Sequence, residues 1–415
     1  MNLFKKTNRK LILTVFTLLV FAVLYCQAIN PSWKAHLEID VWVWYERFSY
    51  FCKHLSFSGL EGNELLPTTL FFILLPAVFS NFSKMSYASY LKAALIINLL
   101  VLFLHIALCR KKANFLQTML FLVIVLFVGP IIFFRFDGVI TFLVLLAIWF
   151  WQKKNLVLSG FSLGWAAAMK VYPVIFLPYF LCIFCFKKNY YRIFYFLTSF
   201  LIAIIIPVFI FFAIGGSFEQ IFSALKFHAL KYVSIESILG NFLTGTSLLF
   251  AKKPLPLLGG YGVWGVKSKF IDMMGLEFFN YFWVLPVGLF YLFLILKKKF
   301  FKKLSVGVLF WMMLLFLVFS KNLHPQYIFW FIAFFPFLKV KQKGKTDYLM
   351  MFFLIIIIAF LTQNVYPRLY TNFIEQFYRR GKQLEIFFLQ FLRNLSIVFL
   401  LIFSFRSIFI KKVIE

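Results

Sequence analysis

Charged residues are scarce in this chain, and acidic ones are the scarcest. Only 14% of the 415 residues are charged, against about 25% in a soluble domain. This deficit excludes an ordinary soluble globular protein, and apolar runs long enough to cross a bilayer indicate a multi-pass membrane protein. The 43 basic residues outnumber 14 acidic ones. They form short clusters between apolar runs, a pattern of membrane topology and not of nucleic-acid binding.

Motifs for common cofactors and metals are also missing. The five cysteines are scattered, and the Cys182–Cys185 pair lies inside an apolar run where neither redox nor zinc chemistry is expected. The sequence contains no P-loop, HxxxH or HxH pattern. We therefore predict no metal and no cofactor. No internal repeat or Gly/Ser-rich linker divides the chain.

The basic clusters predict how the chain crosses the membrane. The first cluster precedes an apolar stretch at 11–29 that is too long for a signal peptide and lacks a cleavage site, so we expect a retained first helix. The positive-inside rule then places both termini in the cytoplasm of a plasma-membrane protein. The predicted fold is all-α and polytopic, with outer loops, an outer interfacial helix over 67–80 and about twelve transmembrane helices. Eleven have predicted bounds, and the other follows the turn at 320–327: 11–29, 87–109, 114–134, 137–152, 155–169, 173–186, 192–214, 275–296, 303–319, 347–363 and 389–410.

Several charged residues interrupt the apolar runs where the predicted helices turn. Arg135 and Asp137 lie in "FFRFDGVITF", Lys170 in "GWAAAMKVYPVIF" and His324 in "SKNLHPQY". Charge is costly in hydrocarbon, so each needs water, a partner or a function. Singly they are explained by an ion pair at a helix end or by a snorkelling lysine. Together, on one outer face, they suit a substrate with phosphate and hydroxyl groups.

Two predicted outer segments add further polar residues. The first, "HLEIDVWVWYERF", contains Glu38 and Asp40 ahead of an aromatic segment over 41–54 that can form a surface helix. Its simpler interpretation is a solvated loop whose acids cap that helix. The second, "KFHALKYVSIESILGN", contains His228 and Glu236 and is equally compatible with an amphipathic surface helix.

These motifs, in this order, resemble the GT-C class of membrane glycosyltransferases. The strongest resemblance is to glycosyltransferase family 87 and other polyprenyl-phosphate-mannose-dependent enzymes, and it spans about 10–340. It rests on "LEIDVWVWYERF", "NELLPTTLFFILLP", the block from "RFDGVITF" to "KVYPVIF", "FHALKYVSIESILGN" and "SKNLHPQY". Glu38 replaces a second Asp of the pattern, and Leu65–Leu66 replace Tyr-Pro, so sugar and acceptor stay open.

The resemblance implies a fold, a reaction and a set of site residues. The expected enzyme transfers a hexose such as mannose from a polyprenyl-phosphate donor to a glycan or glycolipid hydroxyl on the extracytoplasmic side, with inversion. It implies Asp40 as base with Glu38 assisting, and a phosphate clamp of Lys170 and Arg135. Asp137 is expected to hold Arg135. The other predicted binding residues are Tyr172, His228, Glu236, Lys321, His324 and Gln326.

The domain division and one alternative function complete the expectations. We expect a catalytic module over 1–340 and C-terminal helices over 341–415, with an outer segment at 363–390 of open role. The partners are the lipid-linked donor, the acceptor and the bilayer, with no nucleic acid. The alternative is a transporter or flippase of a lipid-linked saccharide, although such proteins usually show repeats and polar residues near the midplane. A membrane scaffold would not need the charged turns.

Overall fold

Helices make up most of the structure, a computed structural model that describes residues 2–60, 64–79 and 85–414. The first half contains α1 (Asn2–Ala28), α2 (Pro31–His54), α3 (Pro67–Leu74), α4 (Tyr87–Lys112), α5 (Phe115–Val128), α6 (Asp137–Gln152), α7 (Leu156–Met169), α8 (Leu177–Phe186), α9 (Tyr190–Ala213) and α10 (Phe218–Ala229). The second half contains α11 (Ile238–Ala251), β1 (Leu257–Gly260), β2 (Val263–Val266), α12 (Lys269–Met274), α13 (Leu276–Tyr281), α14 (Val284–Leu296), α15 (Val306–Phe319), α16 (Ile328–Ile332), α17 (Lys345–Gln363), α18 (Tyr370–Asn372) and α19 (Leu384–Phe405). The two strands form an antiparallel hairpin that the sequence did not predict.

Six helical segments of the described chain are long and apolar enough to cross a membrane, and eight shorter apolar helices accompany them. This confirms a multi-pass, essentially all-α membrane protein. The count of twelve crossings is not confirmed. One reason is visible at Gly129, whose positive φ of 75° ends α5 before the predicted helix boundary at 134. Glycine adopts that conformation without the steric cost of a side chain.

The predicted interfacial helix over 67–80 is a short helix covered by protein. Pro67 starts α3, since proline is pre-organised for the first helical position. Leu70 and Ile73 are buried, and α3 packs against α7 and α9. The Thr69 hydroxyl donates to the Met169 carbonyl at 2.7 Å. Ser80, the predicted end of this helix, lies outside the described residues.

The closest helix pair, α7 against α9, depends on two glycines in "GFSLG". A Cβ at Gly160 would lie 2.2 Å from the Phe196 carbonyl oxygen, and one at Gly164 would lie 2.2 Å from that of Phe200. Small residues four positions apart allow helix backbones to approach each other in this way. The contact fixes the C-terminal end of α7, which leads directly into Lys170.

We expect Gly164→Val to prevent stable folding, because its side chain meets a backbone carbonyl that cannot move aside. Overpacking typically costs about 1–3 kcal/mol and occasionally more, and a clash with backbone belongs to the upper end. The measurement is the melting temperature and monodisperse yield of the detergent-purified protein. Gly288→Val on α14 is the matched control, since a Cβ there meets nothing within 4 Å. Equal stability of the two variants would contradict the close packing of α7 on α9.

The predicted cytoplasmic clusters meet at one end of the helix bundle. Arg9 lies over the Phe115 ring at 5.9 Å, and Lys111 over the Trp149 ring at 5.3 Å. The backbone N–H of Lys341 donates to the Val413 carbonyl at 2.9 Å, which joins the C-terminal end of the described chain to the basic loop before α17. Asp137 starts α6 and Trp149 lies in its last turn. The charged turns are therefore at the opposite end of the bundle.

A second, smaller hydrophobic core lies beside the main one. It contains Val233, Ile235 and Val266 from the loop and hairpin after α10, with Phe279 on α13 and Phe377 near α18. This core fixes the loop that includes Glu236, because Val233 and Ile235, just before it, are buried in the core. The core thus joins the loop after α10, the hairpin and the segments around α13 and α18, which are far apart in the sequence.

Candidate active site

A cavity of about 960 Å³ opens among the charged turns, and most of the predicted site residues line it. Its walls come from α2, the turns before α6 and after α7, the end of α10 with the following loop, the β-hairpin, and the turn before α16. The predicted residues in its lining are Asp40, Arg135, Asp137, Lys170, Tyr172, His228, Glu236, His324 and Gln326. Two predicted residues, Glu38 and Lys321, are not in the lining.

Asp40 and Arg135 form an ion pair at the cavity wall. Asp40 Oδ2 lies 2.8 Å from Arg135 Nε, and the Asp40 side chain is 42% exposed while that of Arg135 is 7% exposed. Arg135 Nη1 donates to the carbonyls of Leu37 and Phe134, each at 2.9 Å. The guanidinium is therefore fixed, and the Asp40 carboxylate still faces the cavity. The prediction that Asp137 holds Arg135 is wrong, because the carboxylate that pairs with Arg135 is that of Asp40.

Asp137 instead holds Lys170 inside an aromatic cage. Asp137 Oδ1 accepts from Lys170 Nζ at 2.8 Å and from the indole nitrogen of Trp330 at 2.6 Å. Lys170 Nζ also lies 4.4 Å from the ring centroid of Tyr327 and 4.9 Å from that of Trp330, distances typical of cation–π contacts. Tyr172 stacks on Trp330 with centroids 3.8 Å apart. Lys170 is thus a fixed cation with its own counterion. It is not a lysine that extends along an apolar surface to reach water.

Glu236 and His324 form a buried pair at another wall. His324 Nδ1 lies 3.4 Å from Glu236 Oε2, and Glu236 Oε1 has no hydrogen-bond partner among the described residues. Burial raises the pKa of Glu236 to about 7, against the opposing charges of Arg393 and Arg135. Burial, with the charge of Lys231 next, lowers the pKa of His324 to about 3. Near neutral pH the imidazole is uncharged, and Glu236 can both donate and accept hydrogen bonds.

The last long helix holds Glu236 in place. The backbone carbonyl of Glu236 accepts hydrogen bonds from Arg393, and from Gln390 Nε2 at 3.0 Å. Asn394 Nδ2 approaches the same oxygen at 3.4 Å. All three donors are buried on α19. No sequence signal identified them, because their partner is a backbone atom more than 150 residues away.

The cavity lining contains a third ion pair that the sequence prediction did not include. Arg47 Nη2 lies 3.1 Å from Glu64 Oε2, and His228 Nε2 lies 3.1 Å from the Glu64 carbonyl oxygen. A signal for Arg47 existed, since it follows Asp40 by seven residues, about two helical turns. Side chains at that spacing share a helix face.

Glu38 lies apart from Asp40, which corrects its predicted assisting role. The helix α2 begins at Pro31, ten residues before the predicted start, so both acids lie inside it. Two residues correspond to about 200° around a helix, which turns the two side chains to opposite sides. Glu38 lies 3.6 Å from Lys34 Nζ and accepts from the Tyr87 hydroxyl at 3.3 Å.

Lys321 likewise has a structural position behind the cavity. Its Nζ donates to the carbonyls of Ala229 at 2.8 Å and Lys231 at 2.6 Å, and it is 5% exposed. The backbone N–H of Ser234 donates to the Lys321 carbonyl at 2.9 Å. The residue therefore fixes the loop after α10 and does not reach the substrate space.

The segment over 363–390, whose role the sequence left open, contributes to the cavity. Tyr366 and Tyr370 line it. The Tyr366 hydroxyl accepts from Arg135 Nη2 at 3.0 Å and donates to the His36 carbonyl at 2.6 Å. Trp264 of the hairpin is another lining residue without a sequence signal. No three His, Cys, Asp or Glu side chains in the described part of the chain are placed to hold a metal ion.

Comparison with known proteins identifies the family. No curated protein matches the sequence. A family model described as glycosyltransferase family 87 matches residues 66–317. The matched stretch includes Arg135, Asp137, Lys170, His228 and Glu236, and Asp40 and His324 lie on either side of it. Since the match covers more than half of the 415 residues, the chain belongs to glycosyltransferase family 87.

Proposed function

We propose that this protein is a hexosyltransferase that moves a sugar such as mannose from a polyprenyl-phosphate donor to an acceptor hydroxyl. One observation carries the proposal: a single cavity places the partly exposed carboxylate of Asp40 beside the fixed cations Arg135 and Lys170. Family membership supplies the reaction class, a glycosyl transfer between donor and acceptor.

In the proposed reaction, the acceptor hydroxyl attacks the anomeric carbon as Asp40 takes its proton. The bond between that carbon and the phosphate oxygen breaks, and polyprenyl phosphate leaves with the electron pair. No general acid is needed because the phosphate leaves as an anion, so one carboxylate suffices where glycosidases use two. Arg135 and Lys170 stabilise the charge that develops on the leaving phosphate.

Polar groups on the other walls are proposed to bind the sugar and acceptor. Glu236 offers an unpartnered carboxyl oxygen, which suits a sugar hydroxyl. His228, Gln326 and Tyr172 border the same space and are further candidates. The apolar part of the lining is suited to the first isoprene units of the donor, while the rest of the prenyl chain remains in the bilayer.

The extracytoplasmic placement rests on charge asymmetry. The basic clusters gather at the end of the bundle opposite the cavity. Clusters of Lys and Arg favour the cytoplasmic side. We therefore propose that both termini are cytoplasmic and that the cavity faces outward. We also keep the proposal that 1–340 is the catalytic module, with Tyr366 and Tyr370 added by the C-terminal part.

The test is turnover by the purified protein in lipid vesicles that contain a radiolabelled polyprenyl-phosphate sugar and an oligosaccharide acceptor. We expect a new glycosidic product and release of polyprenyl phosphate. Movement of the labelled lipid across the bilayer without product would support a flippase instead. Neither product nor movement, with several sugars tried, would contradict both functions.

A further inference from the structure

The charges of the cavity lining are unevenly matched. Three of its Arg and Lys side chains have a carboxylate partner: Arg47 with Glu64, Arg135 with Asp40, and Lys170 with Asp137. Lys231 lines the same cavity, and no carboxylate among the described residues lies within ion-pairing distance of it. Unpaired buried cations are rare because desolvation is costly. A bound anion would supply the counter-charge that Lys231 lacks.

Lys231 is held in this position by its backbone. It lies two residues after the end of α10 and is 8% exposed. Lys321 binds the carbonyls of Ala229 and Lys231, and the Val233 carbonyl accepts from the N–H of Val266 on β2 at 3.0 Å. The side chain passes the Phe227 ring, with Nζ 5.4 Å from its centroid. The loop is therefore fixed before any ligand arrives.

The charged groups around Lys231 indicate that its ammonium form would be favoured by a bound anion. Burial, with the charge of Lys170 next, lowers the pKa of Lys231 to about 8, while Asp40, Glu64 and Asp137 act in the opposite direction. His228, His324 and Lys321 also lie close enough to interact with its charge. Cationic neighbours and burial both disfavour the ammonium in the free protein. A bound anion would reverse the balance and favour it.

We propose that Lys231 binds the phosphate group of the lipid-linked donor and of the polyprenyl phosphate that leaves. The assignment rests on the proposed function and deepens it. A phosphate that bound only at Arg135 or Lys170 would compete with Asp40 or Asp137 for a cation that is already paired. At Lys231 it meets an unpaired ammonium and forms a charge-assisted hydrogen bond. Arg135 and Lys170 then act on the charge that develops during transfer.

This position gives the binding a defined pH dependence. The ammonium is present below pH about 8 and is lost as the pH rises through that value. Affinity for the phosphate should therefore fall in alkaline solution. Arginine at this position stays charged throughout because guanidinium does not titrate in this range. Lys231→Arg should therefore lose less phosphate affinity than the wild type between pH 7 and 9, because loss of the lysine charge costs the wild type about tenfold in affinity.

The experiment measures the dissociation constant of a short-chain polyprenyl phosphate, and the donor KM, for full-length protein in detergent. Lys231→Met should weaken binding by roughly tenfold or more, with the same rise in KM. Lys226→Met, on the exposed surface of α10, is the matched control and should leave both unchanged. Lys231→Arg should bind like the wild type at pH 7 and lose less affinity at pH 9.

The outcomes separate this inference from the proposed function. Two results would overturn the role of Lys231: wild-type affinity in Lys231→Met, or identical pH profiles for the wild type and Lys231→Arg. If the wild-type protein still transfers sugar, the proposed transferase function is unaffected by either result. A wild type that neither binds polyprenyl phosphate nor transfers sugar would overturn both. If Lys231→Met does not fold, the pH profile of Lys231→Arg still decides the question.

Discussion

Asp40→Asn should lower the rate of sugar transfer by about 10²–10⁴-fold, the usual contribution of a positioned general base. Asparagine keeps the size of the side chain and can still accept a hydrogen bond from Arg135, but it cannot take the proton of the attacking hydroxyl. Donor binding should change little, because Lys170 and Lys231 remain. The measurement is single-turnover transfer together with equilibrium binding of the donor.

Glu38→Gln is the matched control for this experiment. It removes a carboxylate from the same helix, two residues away, but on the side that faces Lys34 and Tyr87. We expect near-wild-type transfer. If Glu38→Gln were as inactive as Asp40→Asn, or if Asp40→Asn kept full activity with a normal melting temperature, Asp40 would lose its role as the base.

Asp137→Ala should destabilise the protein by roughly 3–5 kcal/mol, as expected when one partner of a buried ion pair is removed. The Asp137 side chain is 4% exposed and accepts from both Lys170 and Trp330. Alanine leaves a partly buried ammonium with only aromatic rings around it and an indole N–H without its acceptor. Denaturant titration or the melting temperature in detergent measures the loss.

A second substitution distinguishes charge from packing at this site. Asp137→Asn combined with Lys170→Met removes both charges, keeps an acceptor for Trp330 and should recover much of the stability. Asp272→Ala on the exposed surface of α12 serves as the matched control and should have little effect. A double variant as unstable as Asp137→Ala would show that the ion pair is not the source of the loss.

Local sequence features were enough to predict a multi-pass, essentially all-α membrane protein whose charged helix turns lie together. Apolar length identified the membrane class, and basic clusters separated two ends of the bundle, because both signals are read within about 20 residues. The charged turns at Arg135, Asp137 and Lys170 were predicted to meet, and they line one cavity. Family membership is confirmed by the match over 66–317.

The partners of these residues could not be read in the same way. Arg135 was expected to pair with Asp137 two positions away, yet it pairs with Asp40, 95 residues earlier. Glu38 was misplaced because the start of α2 was set ten residues too late, which hid the helical phase of the two acids. Lys321 resembled a site residue by charge alone. Its partners are backbone carbonyls, which no side-chain pattern reveals.

The hydrogen bonds from α19 to the Glu236 carbonyl have a consequence for biosynthesis. A chain emerging from the ribosome makes its residues in order, and Arg393 is synthesised more than 150 positions after the carbonyl that it binds. Until that late helix inserts, the part of the cavity wall at Glu236 lacks its support, although the charged lining residues from Asp40 to His324 have already been made. We expect chains released before that point to lack an ordered cavity and therefore to be inactive as glycosyltransferases.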